Sequence, residues 1–219
     1  WGTGEEQLRL GHAKIMLTMT TGALEPNVES LSDMVNSAHL SGFPVAIHAI
    51  EQEAIEAAVR ALSNALRLPN LASTNSAQPV DRIEHCAECP PELVAEIAKS
   101  GCMVVTQPGF VYWNGDNYLE RVDAPMIPNL YPVGAFAKAG VPLALGSDAP
   151  VIDPNPWPAI YNAVTRKTSS GNPLPADATQ AQTITIAQAL WMYTAAGAIS
   201  EGTGHRKGTI QPGMVADMV

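Results

Sequence analysis

Short apolar runs alternate with amphipathic segments along the whole 219-residue chain. The runs fall at 13–17 (AKIML), 43–50 (FPVAIHAI), 82–86 (RIEHC), 102–107 (CMVVTQ) and 141–147 (VPLALGS), each of strand length. Between them the period lengthens to that of a helix. Segment 30–41 opens on Ser30 with Asp33 three residues on, a capping-box-like start. It places Leu31, Met34, Val35 and Ala38 on one face and stops at Gly42. Segment 51–66 sets Ile55, Ala58, Val59, Leu62 and Leu66 on one stripe, with acidic residues in its first turn. Segment 90–100 begins Pro-Pro-Glu, repeats Leu93, Val94, Ile97 and Ala98, and ends at Gly101; proline at the start and glycine past the end are the usual helix punctuation. Segments 129–139, 156–166 and 185–197 follow the same pattern.

Strands alternating with helices predict an α/β fold with a parallel sheet. The strands are nearly continuous apolar runs, as expected of strands covered on both faces. Segments 68–80 and 167–184 read as polar surface loops. Segment 108–128, carrying Phe110, Tyr112, Trp113 and Tyr118, reads as a long loop of the kind that covers a binding site. Residues 208–219 form a strand–turn–strand pattern about Pro212-Gly213.

Composition narrows the picture. Hydrophobic residues make up 46% and charged residues 15%, which suits a packed core and excludes a disordered chain. A net charge of −9 argues against binding a phosphate backbone, so no nucleic-acid partner is expected. No apolar run approaches the ~18–20 residues of a membrane span, and no signal-peptide pattern opens the chain. The first residue is Trp1, which points to residues upstream. Three cysteines, an odd number, argue against a disulfide framework and for a reducing compartment, hence a cytoplasmic location.

Three strand ends carry a hard polar residue in an apolar setting. His48 follows Val45-Ala46-Ile47, His85 follows Arg82-Ile83-Glu84, and Asp148 follows Leu143-Ala144-Leu145-Gly146-Ser147. In parallel α/β architectures ligands bind at the C-terminal ends of the strands. Two imidazoles and a carboxylate there match the ligand set of a catalytic Zn²⁺ or similar divalent ion. Each residue also has a plainer reading: either histidine as a satisfied polar group, Asp148 as the cap of a turn. Cys86-x-x-Cys89 lacks a second pair at metal-binding spacing and reads as structural, and His12, His39 and His205 read as surface residues. No glycine-rich phosphate loop follows any strand, so a nucleotide cofactor has no motif behind it.

Together, Phe43-Pro-Val-Ala-Ile-His48-Ala-Ile50, Arg82-Ile-Glu-His85, Gln107-Pro108, Gly146-Ser-Asp148-Ala-Pro150 and Gly208-Thr-Ile-x-Pro-Gly-x-Val-Ala-Asp217 resemble the amidohydrolase superfamily, in its family-3 branch of metal-dependent hydrolases. The resemblance implies a (β/α)₈ TIM-type barrel acting on C–N bonds such as amides, with one or two divalent metals, zinc foremost. The family's strand-5 and strand-6 histidines fall on His48 and His85, and its strand-8 aspartate, ligand and general base, on Asp148. Lys14 stands where many members carry a carboxylated, metal-bridging lysine; its other reading is an ordinary strand-flanking lysine. The chain departs from the family by containing no His-x-His pair, which members carry on strand 1, and Ile50-Glu-Gln-Glu-Ala54 replaces the usual Ile-Gly-Asp-Arg-Ala.

The resemblance thus implies a partial barrel of about strands 4 to 8 over residues 1–207, with 208–219 as the start of a C-terminal β-sandwich. Two functional expectations follow. One is a piece of a metal-dependent amidohydrolase for small amide-type substrates, with little activity alone. The other is a non-catalytic barrel module that only folds or assembles with another chain. Self-association, a homodimer above all, is expected from the open sheet edges.

Overall fold

The computed structural model describes residues 1–5, 8–19, 21–65, 80–175 and 183–218. Residues 68–79 of the expected loop at 68–80, residues 176–182 of the second loop, Leu66 and Val219 lie outside them. All five apolar runs are strands: β3 (Ala13–Met16), β4 (Val45–Ala49), β5 (Arg82–His85), β6 (Met103–Thr106) and β7 (Leu143–Leu145). A two-stranded antiparallel sheet, β1 (Gly4–Glu5) with β2 (Leu8–Arg9), precedes them.

The five strands form one parallel sheet in the order β3-β4-β5-β6-β7. Each new strand is added on the same side, with no reversal of order. A doubly wound sheet reverses direction partway; unbroken addition is the arrangement of a (β/α) barrel wall, and the fold is a partial barrel.

The helices between the strands are α1 (Val28–Leu40), α2 (Gln52–Asn64), α3 (Pro91–Ser100), α4 (Pro108–Arg121), α5 (Val133–Lys138), α6 (Pro156–Thr165), α7 (Ile186–Tyr193) and α8 (Ala195–Ser200). Their apolar stripes cover one face of the sheet. Ile15, Ile47, Ile83, Val104 and Leu143 from the strands share a core with Leu31, Val35, Ile55, Ile97 and Phe136 from the helices. Burying each such side chain contributes ~1.5–3 kcal/mol.

The opposite face, which register gives to Lys14, Met16, Ala46, His48, Arg82, Glu84, Met103, Val105 and Ala144, is covered unevenly. Ala196 of α8 packs on Met103 and Ala144, whereas Met16 on β3 is 54% exposed. The expected covering of both faces therefore holds toward β7 and fails toward β3. Among the described residues β3 pairs only with β4, and β7 only with β6.

Several local expectations change. The cap of α1 is Asn27, whose Oδ1 accepts from Ser30 N at 2.9 Å, so the helix starts before Ser30. Segment 185–197 divides into α7 and α8 at Thr194, whose hydroxyl donates to Leu190 O at 2.7 Å. Thr185 and Gln188 form the capping box of α7.

The long loop at 108–128 is instead α4 for most of its length. Its glycines and Asn-Asp-Asn content are poor helix formers, and tertiary packing overrides them. A Cβ on Gly109 would lie 2.5 Å from Ile152, and one on Gly115 2.5 Å from Thr168. Glycine lets α4 lie close to α6 and the loop beyond it.

At the C-terminus the Pro-Gly turn is present, with Met214 N donating to Gln211 O at 3.1 Å, but no strand flanks it through residue 218. A strand needs a partner for its backbone groups, and none of the described strands pairs with this segment. Gly208 does pack, at φ +97 and against Ala198 and Ala195, where a Cβ would sit under 3 Å from both.

Candidate metal centre

His48 and His85 meet at the C-terminal end of the sheet. Their ring centroids are 4.5 Å apart, edge to face at 72°. Strand alternation alone would separate them. His48 pairs with Glu84, and His85 pairs with Ala49 on the other face. His85 reaches the His48 side because its backbone turns left-handed, at φ 76, followed by Cys86 at φ 48. Such values are uncommon outside glycine and cost on the order of 1 kcal/mol or more each. Asp148, beyond β7, also has positive φ, at 59, and its carboxylate is exposed at the mouth.

The two rings are held neutral. Burial lowers His48 to about 4, helped by His85 and Lys14 and opposed by Asp148. Burial also lowers His85, against the Gln107 hydrogen bond and the Asp148 and Glu84 carboxylates. His85 is 5% exposed, and its Nδ1–H donates to Gln107 Oε1 at 2.7 Å, which leaves Nε2 as its lone-pair nitrogen. Lys14, on β3 two residues from the partner of His48, is lowered by desolvation and by Arg82, with Glu84 and Asp148 opposing. On the same inner face Arg82 Nε pairs with Glu84 at 2.7 Å, and Arg82 also reaches Ser200.

The donor chemistry suits a divalent ion: neutral imidazoles are ligands without prior deprotonation. The structure brings two of the four candidate groups, His48 and His85, into contact. Lys14 and Asp148 act on both rings through their charge. Among the described residues no three His, Cys, Asp or Glu side chains approach closely enough to hold an ion, so these strands offer a two-imidazole partial site.

Residues absent from the sequence-based site surround it. Gln107, Thr106 and Tyr193 are the main ones; Tyr193 OH donates to Gly146 O at 3.1 Å and steadies the approach to Asp148. Of these, Gln107 was marked in the sequence by its place after a strand and by Gln107-Pro108 among the family-like motifs. The aromatic residues of α4 pack against neighbouring rings. Phe110 stacks on Tyr131 and Tyr112 packs on Trp113 and Tyr161.

Two other expectations need correction. His39 is buried, 3% exposed, because Asp81 accepts its Nε2–H at 3.0 Å. His12 is half-buried, its Nε2–H donating to Val80 O at 3.0 Å. His205 is exposed. Cys86, Cys89 and Cys102 are free and buried, and burial raises all three thiols, which makes them unreactive.

A partial (β/α) barrel with paired imidazoles at its C-terminal rim is a frame that binds ligands at that rim. The chain belongs to the amidohydrolase family, whose model, in its family-3 branch, matches residues 2–219. It is 29% identical over 195 residues to the N-substituted formamide deformylase of Arthrobacter pascens, covering 85% of this chain and 33% of that protein. The chain thus spans about a third of that relative's length. Its fold matches a metal-dependent hydrolase structure from Pyrococcus horikoshii with a TM-score of 0.76 at 21% identity, covering 98% of this chain and 44% of that one. A Zn-bound adenosine deaminase structure from Xanthomonas campestris matches with a TM-score of 0.53 at 22% identity, over 87% of this chain and 40% of that one. Among the described residues no helix is long and apolar enough to cross a membrane.

Proposed function

We propose that these five strands supply one side of the metal site of an enzyme that hydrolyses amide-type C–N bonds, with His48 and His85 as ligands, Asp148 at the mouth as general base, and further ligands from outside the five strands. The observation that carries this reading is the neutral His48–His85 pair, rings 4.5 Å apart, at the rim where such barrels bind ligands. Zinc is the proposed ion, supported by the two nitrogen donors and by the Zn-bound structural neighbour. When bound, such an ion acidifies a water and polarises the scissile carbonyl.

The chain's own residues do the rest. Asp148, exposed at the mouth, takes the proton of the attacking water as its oxygen bonds to the carbonyl carbon. It then returns that proton to the departing nitrogen as the C–N bond breaks, leaving an acid and an amine. Lys14, its amine held below the ordinary lysine range, is the proposed point of attachment for a carbamate formed with CO₂. N-substituted formamides are the first substrates to try, given the deformylase relative. A cytoplasmic location is proposed on the three free, buried cysteines.

The test is zinc titration of the purified chain by calorimetry. Binding at about one ion per chain, lost in His48→Ala while the fold persists by circular dichroism, supports the reading. A folded chain that takes up no zinc favours the second reading, a non-catalytic barrel module, whose specific support is that no third close ligand stands among the described residues.

We further propose that the chain self-associates through the β3 side of the sheet. There the strand edge is unpaired among the described residues, and Met16, Leu8 and Leu10 are 54%, 84% and 57% exposed. An open edge beside apolar surface invites pairing. Sedimentation at micromolar concentration is expected to show a dimer, and a persistent monomer would refute it.

A further inference from the structure

The end of β6 holds His85 at two points. Gln107 Oε1 accepts the ring's Nδ1–H at 2.7 Å, and Thr106 Oγ1 donates to the His85 carbonyl at 2.7 Å. All three residues are buried, at 3%, 0% and 5% exposure for Gln107, Thr106 and His85. The Gln107 amide has a fixed direction, because its Nε2–H donates to Val105 O at 3.2 Å and so turns the oxygen toward the ring. Thr106 is itself anchored, its carbonyl accepting from Gly146 N at 3.1 Å.

We propose that Gln107 and Thr106 are positioning residues that form a clamp, fixing His85 as the Nδ1–H tautomer with its Nε2 lone pair free and holding the left-handed backbone that brings the ring to His48. The argument is one of satisfaction and geometry. A neutral imidazole has one N–H and one lone pair, and a buried acceptor on one nitrogen decides which is which. With water excluded, no other acceptor among the described residues serves Nδ1. The unfavourable φ of His85 persists only where neighbours over-determine it, and the Thr106 bond to the carbonyl of that same residue supplies one restraint. A neutral amide differs from a carboxylate here. It orients the ring without placing a full charge beside it, so the ring remains a neutral donor.

The use of the freed Nε2 as a metal ligand rests on the function proposed above; the tautomer and the clamp do not. The experiment separates them. Long-range ¹H–¹⁵N spectra of the metal-free, ¹⁵N-histidine-labelled chain at pH 7.5 report which ring nitrogen carries the proton. The wild-type chain is expected to show His85 as the Nδ1–H form. Gln107→Leu is expected to lose that preference and to bind zinc ~10–100-fold more weakly, the usual effect of removing a ligand's outer partner. Gln107→Glu keeps an acceptor oxygen and should retain the tautomer. Thr106→Val, nearly isosteric, should keep the tautomer but weaken zinc binding about tenfold by releasing the backbone.

A wild-type His85 in the Nε2–H form overturns the clamp, and that result needs no variant to fold. So does a folded Gln107→Leu whose tautomer and zinc affinity match the wild type. An Nδ1–H His85 in a chain that binds no zinc upholds the clamp and overturns the metal reading instead.

Discussion

Histidines mark both ends of the sheet, and the two ends treat them differently. At the N-terminal end His39 donates to Asp81, whose Oδ1 also accepts from Val45 N at 2.9 Å. His12, beside it, donates to the Val80 carbonyl. Each of these rings meets an acceptor, and together they tie α1, β3, β4 and the entry to β5. At the C-terminal end His48 has no hydrogen-bond partner among the described residues, and His85 has a partner on one nitrogen only. The ends differ in setting rather than in bonding: the Nδ1 of His39 is also left without a partner, but that ring is buried at 3% exposure, whereas His48 and His85 face each other at the rim. Barrels divide this labour generally, with stability at the N-terminal face and chemistry at the C-terminal face.

The largest effect that tests this division is on metal affinity. His48→Ala or His85→Ala is expected to weaken zinc binding by at least ~100-fold, beyond the range of outer partners. His39→Ala should leave it within about twofold and lower stability by ~1–3 kcal/mol, the cost of an abandoned partly buried acceptor. Calorimetric titration and urea denaturation measure the two. Zinc affinity lost equally in all three variants would erase the distinction between the ends.

Next comes Arg166, which serves the C-terminal end as His39 serves the other. It is 5% exposed, and its guanidinium donates to the carbonyls of Ile127, Pro128, Leu130 and Tyr131, at 2.8 to 3.4 Å. Burial holds its pKa down to about 10. It braces the segment that backs the site, where Tyr131 N also donates to Ala87 O at 2.7 Å. Arg166→Met is expected to cost ~3 kcal/mol, since charged hydrogen bonds are the strong ones and four carbonyls lose a donor. Denaturant midpoints would show it.

A smaller effect is expected at Gly115, where an added methyl meets Thr168 at 2.5 Å and Leu174 at 3.1 Å. Gly115→Ala should destabilise by ~1–3 kcal/mol through overpacking, despite the better helix propensity of alanine. A more stable variant would mean that α4 and the 168–174 loop yield easily.

The last effect is the pH response of the N-terminal end. Burial lowers His12 to about 4, with Arg82 adding to it, from an ordinary value near 6.5. The unfolded chain therefore takes up a proton between pH 6.5 and 4 that the folded chain refuses. Stability from this source is full above about pH 6.5 and declines as pH falls toward 4. His48 adds a decline of the same sign. Denaturation midpoints across this range should fall for the wild type and fall less steeply for His12→Gln. An unchanged slope would remove His12 from the account.

Much of the molecule is legible in the sequence, and the boundary is physical. The five strands and the covering helices follow from hydrophobic periodicity, a local property that each segment carries whatever its neighbours do. The positions of His48, His85 and Asp148 at strand ends follow from the same pattern, and the motifs around them carry the family. The convergence of the two rings does not follow. Strand alternation sends His85 to the other face, and only a left-handed backbone, held by contacts from β6, brings it back to His48.

The helix at α4 was hidden for a related reason. Its glycines read as loop residues, and they are helical because α6 and the following loop lie against them. The sequence likewise left His39 on the surface, because Asp81 is 42 positions away and only the folded sheet edge brings the two together. Local pattern determined which elements form and which residues stand at their ends. Tertiary packing decided which rings are buried against a distant partner, as His39 is against Asp81, and which meet at the rim of the sheet, as His48 and His85 do.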